Sequence, residues 1–368
     1  MKMLEKGKIG SRQLMILVIL YTLGDSILVI PSVVASEAEQ DGWISGMISV
    51  AIAPLLVVFI YDALRKCYPD LTLVEYSQKI LGKWLGLAIS LLFISYFFIT
   101  TATYLSEIGD FMITHIMPDT PIQVIMILFM SVVLMAARLG LEPLARSAEI
   151  FFPYVVLLIS TLIILLLPEI KFQNLQPVWE GGLKQVIRGS IPFIVFPFIE
   201  PVAILMILPF VSQKDRIRKS LFVGQLLAGS VLIIITMLAI LVLGSEFTSR
   251  QNYPIYMLAK KINIANFLTR LEAIIAIIWF ITIFIRFSLF FYVTVLGMAQ
   301  TFKLQDYRPL VFPFGILLIA FTLIMTPNIV HYSKFITEIW PFYAMTFGFL
   351  LPLILLIIAK VQKNDQRN

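Results

Sequence analysis

Residues 12–36, RQLMILVILYTLGDSILVIPSVVAS, are long enough to cross a bilayer, yet their centre is wrong for a plain anchor. About 20 apolar residues cover a hydrocarbon core of roughly 30 Å. Here Thr22, Leu23, Gly24, Asp25 and Ser26 put a flexible residue, a carboxylate and hydroxyls at half depth. Pro31 then removes a further helical hydrogen bond. A charge at mid-bilayer costs about 3 kcal/mol or more. Non-helical backbone survives at that depth only where protein or a water-filled cavity surrounds it. The stretch therefore predicts a broken helix lining a polar site inside a bundle. It is too long for a signal-peptide core and no small-residue cleavage site follows it, so it reads as a true first span.

The rest of the chain supplies such a bundle. Hydrophobic residues make up 60% of it and charged residues 14%, against about 25% charged in soluble domains. Ten spans are predicted, at 13–36, 42–64, 85–113, 121–139, 144–167, 189–210, 219–243, 271–299, 309–327 and 335–359. Nineteen of the 28 basic residues fall on the side of the tails and even-to-odd connections. By the positive-inside bias that side is cytoplasmic, with both termini. The net charge of +6 follows from this bias and needs no nucleic-acid partner. A single cysteine, Cys67, and two distant histidines, His115 and His331, offer no metal-ligand cluster. No Walker loop or nucleophile–base arrangement is present, so neither an enzyme nor a cofactor is expected.

Three connections are more than turns. Residues 65–84 predict a short cytoplasmic helix after Pro69. Residues 168–188 read as an outer loop. Residues 248–270 read as an outer amphipathic helix, with Asn252 as cap, Pro254 in the first turn, and an apolar stripe of Ile255, Leu258, Ala259 and Ile262. Trp43, Trp84 and Trp340 fit an interfacial aromatic belt. Span six, GSIPFIVFPFIEPVAILMILPF, holds Pro192, Pro197 and Pro201 with Glu200 between the last two. The two interrupted spans are the first and sixth of ten. Each opens a five-span half, and five being odd, the halves run in opposite senses. The expected fold is thus all-α: ten membrane helices in a five-plus-five inverted repeat, with residues 1–167 and 189–359 as the repeats and 360–368 as a cytoplasmic tail. Paired broken helices are the best sequence pointer to a binding site near the midplane.

The segment YTLGDSILVIPSVVASEAEQDGWIS resembles the first span of amino acid–polyamine–organocation transporters. A closer resemblance, over most of the chain, is to the membrane-permease (B) subunit of bacterial spore germinant receptors. It rests on YPDLTLVEYSQKILGKWLG, LARSAEIFFP, LQPVWEGGLKQVIRGSIPF, EPVAILMILPF and YPIYMLAKKINIANFLTRLEAIIAIIW. The resemblance implies germinant sensing in the spore inner membrane, beside an A subunit and a lipid-anchored C subunit. Transporters of the wider family have small neutral residues where Asp25 stands.

Within that frame the candidate ligand-binding residues are Thr22, Gly24, Asp25 and Ser26 at the first break, and Val195, Phe196, Pro197 and Glu200 at the second. Free amides and a helix N-terminus at the first break suit an anionic ligand group. Tyr96, Thr100, Thr103 and Glu107 share one face of span three, with Tyr104 beside it; of these Tyr96 and Thr100 are the ligand-binding candidates. Trp279, Thr282 and Arg286 share one face of span eight. Each group has a bland alternative: packing glycine, helix cap, proline kink, interhelical hydrogen bond. Arg286, near mid-span, is too costly to stand unpaired, and its expected partner is Asp25 or Glu200. In sodium-coupled relatives of the resembled fold a cation bridges spans one and eight, and the Arg286 guanidinium is expected to stand in for that ion. Arg146 and Glu149 are expected as an interfacial pair. The functional expectation is a receptor subunit binding an amino acid or sugar between spans one and six; the alternatives are a proton-coupled amino acid transporter and a membrane scaffold.

Overall fold

The computed structural model describes Glu5 and residues 7–261, 272–326 and 334–365; Ile262 and His331 lie outside them. Every described regular element is a helix. Among the described residues nine helical segments are long and apolar enough to cross a membrane. The first of the nine is Ser26–Cys67, preceded by the shorter apolar helix Ser11–Leu23; with residues 11–38 taken as one broken first crossing, the described helices are numbered as ten spans.

The first crossing comprises α1 (Ser11–Leu23) and α2 (Ser26–Ala38). The chain then runs through α3 (Gly42–Cys67), α4 (Leu73–Leu81), α5 (Lys83–His115), α6 (Ile122–Leu139) and α7 (Leu141–Leu166). The sixth crossing starts as α8 (Gly182–Ile194), loosens to a π-helical turn at Val195–Ile199 and tightens to 3-10 helix at Glu200–Met206. After it come α9 (Ile217–Leu243), α10 (Ser245–Arg250), α11 (Pro254–Lys261), α12 (Glu272–Thr301) and α13 (Arg308–Met325). Span ten opens with a π turn, Phe335–Ile339, and continues through α14 (Trp340–Met345), a second π turn (Thr346–Leu350) and α15 (Leu351–Asp365).

Packing follows the five-plus-five order. Span one lies on span seven as span six lies on span two; spans two and seven pack together, as do three and eight. Burial sorts the helices by role. The segment Gly182–Met206 is 89% buried in its most apolar window and Glu272–Thr301 is 72%, whereas α6 and α13 are 28% and 22%. Leu128, Leu157, Ile316 and Ile324 point outward on α6, α7 and α13, as a lipid-facing wall requires.

The connections refine the sequence expectations. Helix α4 follows Pro69 and carries a capping box: Thr72 Oγ1 accepts from the Glu75 amide while Glu75 Oε2 accepts from the Thr72 amide at 2.9 Å. Residues 168–188 are not wholly loop, because α8 begins at Gly182 and carries Lys184 and Arg188 exposed on its first two turns. The 248–270 segment contains α10 and α11. Its stripe of Ile255, Leu258 and Ala259 is buried against the bundle. Tyr253 rather than Asn252 stands at the cap position, its carbonyl accepting from the Tyr256 amide at 3.1 Å.

Both described tails lie at one end of the bundle, the tail end. Ile9 forms a parallel bridge with Val211, donating to Phe210 O at 3.0 Å and accepting from the Ser212 amide at 2.9 Å. Glu5 is buried there and accepts from Tyr292 at 2.9 Å and Tyr307 at 3.3 Å. Burial and the adjoining Glu5 carboxylate push the Tyr307 phenol well above its ordinary range, so it stays a donor. This strap joins the first span to the tail ends of spans six and eight.

Candidate functional site

The first break follows from where α1 stops. Its last carbonyls have no intrahelical partner, and a positive charge is favoured at a helix C-terminus. Arg286 of α12 supplies that charge: Nη1 donates to Tyr21 O at 3.2 Å and pairs with Asp25 Oδ1 at 2.7 Å. Asp25 opens α2 but makes no side-chain cap; its carboxylate turns to the guanidinium instead. Gly24 is required by this approach, because a Cβ there would lie 2.3 Å from Arg286 Cδ. Thr282, one turn from Arg286, donates to Gly24 O at 3.3 Å.

Prolines make the second break. In the π turn the Glu200 amide reaches back five residues to Val195 O. The same register would give Phe196 O to residue 201, which is Pro201 and has no N–H. Phe196 O accepts instead from Arg286 Nη2 at 3.3 Å, and the same nitrogen pairs with Glu200 Oε1 at 2.7 Å. Ile199 O accepts from Tyr61 at 3.3 Å, and Gly348 of span ten packs so close that a Cβ would sit 2.2 Å from it.

Arg286 thus ties both breaks together, and both expected carboxylates reach it. A guanidinium has five N–H donors. Here Nε goes to Tyr104 Oη at 2.6 Å, and the two terminal nitrogens serve Asp25, Tyr21 O, Glu200 and Phe196 O, with Ser26 Oγ also 3.3 Å from Nη1. The guanidinium also lies over the Tyr21 and Tyr104 rings, at 5.2 and 5.0 Å. Nothing is left over for a ligand. Glu200 is equally enclosed: Oε1 also accepts from Tyr104, and Oε2 accepts from Trp340 Nε1 at 3.2 Å.

The other candidates are distributed around this centre. Val195, Phe196 and Pro197 are buried at the second break. Tyr96 is buried in an aromatic layer, stacked on Phe347 at 4.9 Å and facing Trp340 at 6.0 Å. Thr100 and Thr103 return their hydroxyls to their own helix, each at 2.7 Å. Thr22 Oγ1, Tyr96 Oη, Trp279 Nε1 and both oxygens of Glu107 are buried with no hydrogen-bond partner among the described residues.

Three sequence expectations are corrected. Trp340 is not a belt residue: it is 1% exposed and holds Glu200, because the irregular start of span ten turns it inward. Arg146 does not pair with Glu149; it reaches Glu142 one turn back at 2.5 Å, while Glu149 meets Arg12 at 3.7 Å and Gln13 at 3.2 Å. The Gly24 amide is not available to an anion, since it donates to Leu20 O at 2.9 Å. Sequence reasoning set Tyr104 beside its stripe and left Tyr61 out; a tyrosine one residue from a polar helical face was the available signal for Tyr104.

Fold and site together define a class: a membrane protein of transporter architecture, with two broken helices joined through a buried charge network. Solved structures of similar fold are MhsT in complex with L-phenylalanine (TM-score 0.68, 14% identity, covering 96% of this chain and 99% of that one) and the nucleobase-cation-symport-1 transporter Mhp1 with bromovinylhydantoin bound (TM-score 0.64, 10% identity, 97% and 90%). The chain belongs to the spore germination protein family, whose model matches residues 8–330. Among its relatives, Spore germination protein KB of Bacillus subtilis is 30% identical, covering 98% of this chain and 96% of its own. Spore germination protein YndE of the same organism is 29% identical, covering 98% and 99%.

Proposed function

We propose that this chain is the nutrient-sensing membrane subunit of a spore germination receptor, binding a small nutrient between its broken spans. The observation that carries the reading is the saturation of Arg286. One side chain spends its terminal donors holding break one to break six and its Nε on Tyr104 of span three, so any ligand entering between the breaks must change that network. Such a ligand binds one arrangement of the helices better than another, and that differential affinity is what shifts a conformational equilibrium. Lining residues on this reading are Thr22, Gly24, Asp25, Ser26, Tyr96, Thr100, Val195, Phe196, Pro197, Glu200, Trp279 and Thr282, with Arg286 as the internal cation.

The finer assignments belong to the same proposal. The five-span repeats are 1–167 and 189–359, the tail end faces the cytoplasm, and the membrane is the inner membrane of the spore. The partners are an A-type subunit and a lipoprotein C-type subunit, which read the helix rearrangement. Germination of spores lacking the gene, scored across single nutrients and mixtures, tests the role. Loss of response to at least one nutrient is expected; an unchanged response to all of them overturns it. Gly24 or Thr100 substitutions should move the nutrient concentration dependence, and a change in protein abundance alone favours a scaffold.

The transporter architecture favours a second reading, proton-coupled amino acid uptake. Proteoliposomes containing this chain alone separate the two. Proton-driven accumulation of labelled amino acids establishes transport, and its absence with retained binding leaves the receptor.

A further inference from the structure

Glu107 is 1% exposed, and neither carboxylate oxygen has a hydrogen-bond partner among the described residues. Buried polar groups are almost always satisfied, and an uncompensated carboxylate at this depth is expensive. The register of α5 against α12 fixes its position. Tyr104 meets Arg286 and Phe111 meets Trp279, the latter rings 4.5 Å apart. Glu107 lies between these contacts, at the level of Thr282 and roughly one turn further from the tail end than Tyr104.

A second group, about one turn away, is also unpartnered among the described residues. Trp279 Nε1, fully buried on the facing helix, donates to nothing, and Thr22 Oγ1 on α1 is likewise free of partners. The charge balance gives the sign of what fits. The ionisable groups placed around this level are Asp25, Arg286 and Glu200 in the network and Asp110 one turn along α5. Asp25 and Glu200 already share the one guanidinium, Arg286, whose donors are all committed. An anion would be repelled at this level, and a cationic donor is what the site lacks. Asp110, one turn further out and partly buried, accepts from Tyr253 at 3.1 Å and extends the negative field toward the far end of the bundle.

We propose that Glu107 is the recognition carboxylate for the primary ammonium of an amino-acid-like nutrient entering from the end opposite the tails, with Trp279 Nε1 and Thr22 Oγ1 free to meet its acceptor group. This assigns the ligand class within the ligand-binding reading above and rests on it. A donor and an acceptor one turn apart suit a compact zwitterion better than a sugar, which brings no positive charge.

The test uses the full chain in nanodiscs and its thermal midpoint. A mixture of the twenty L-amino acids is compared with the same mixture N-acetylated, with glucose and with sodium chloride. The expected result is a rise with the free amino acids only, weakened at least about tenfold in concentration dependence by Glu107→Gln. Glu107→Gln removes an unpartnered charge and should be at least as stable as the parent; should it fail to fold, Glu107→Asp replaces it and should weaken binding in the same direction. Stabilisation by acetylated amino acids, by glucose or by sodium chloride alone overturns the proposal, as does a folded Glu107→Gln with unchanged binding. Binding that depends on Glu107 in spores whose germination ignores the gene sinks the receptor role instead.

Discussion

The two broken spans solve one problem by different means. Span one stops and restarts: α1 ends at Leu23, α2 begins at Ser26, and the gap is stabilised by a guanidinium at one helix end and a carboxylate at the next. Span six winds on through its break, leaving helical geometry only at a kink at Pro201, where ψ is 19°. It slides from α to π to 3-10 geometry as Pro197 and Pro201 withdraw donors one after another. A glycine-and-charge break depends on an outside partner, whereas a proline break is written into the backbone. Span one is therefore the conditional break and span six the fixed one, and Arg286 makes the first depend on the second.

That contrast is exposed most sharply by removing the shared cation. Arg286→Gln leaves Asp25 and Glu200 buried without a counter-charge, and breaking a buried pair in this way costs about 3–5 kcal/mol. The variant should lose most of its folded population in detergent, seen as a collapsed monodisperse peak on size exclusion. Adding Asp25→Asn and Glu200→Gln removes the stranded charges and should recover much of that peak. No recovery would mean that Arg286 acts through something other than these carboxylates.

Gly24→Ala comes next. The new methyl meets Arg286 Cδ at 2.3 Å, and overpacking costs about 1–3 kcal/mol. Because the first break is the conditional one, the lowered thermal midpoint should come with altered nutrient sensitivity. An alanine tolerated without either change would show that span one has room the geometry denies.

Tyr104→Phe deletes the hydroxyl that bridges Arg286 and Glu200. A loss of about 1–3 kcal/mol is expected, since charged partners are left short of a hydrogen bond. Trp340→Phe removes a single neutral donor to Glu200 and should cost less than Tyr104→Phe in the same melting experiment. Equal effects would place the weight of the network on the aromatic layer rather than on the charges. At the small end, Arg146→Gln breaks only the exposed pair with Glu142, and its thermal midpoint should move within the range of about 0–1 kcal/mol.

How much of this was legible beforehand differs between backbone and side chains. The breaks were readable because glycine, aspartate and proline act on the backbone locally and at fixed offsets. The capping box at Thr72 and Glu75 was local in the same sense. Facing direction was harder. Trp340 near a span end fits a belt by position alone, and only the irregular winding of span ten turns it toward Glu200. The pairing of Arg146 was missed because Glu142 and Glu149 both lie within one turn, and the choice between them depends on the strap that gives Glu149 to Arg12 and Gln13. Arg286 was legible as a charge that had to be paired. That it would take both carboxylates and two freed carbonyls depended on four separate elements meeting at one point.

The central claim is that one guanidinium energetically couples Asp25 at the first break to Glu200 at the second. A mutant cycle on Asp25→Asn, Glu200→Gln and Arg286→Gln, read by equilibrium unfolding in detergent, measures that coupling directly. The account predicts that each carboxylate couples to Arg286 well beyond the roughly 0.5 kcal/mol expected of independent sites, and that neutralising one carboxylate changes the coupling of the other. Additive effects across the cycle would contradict it.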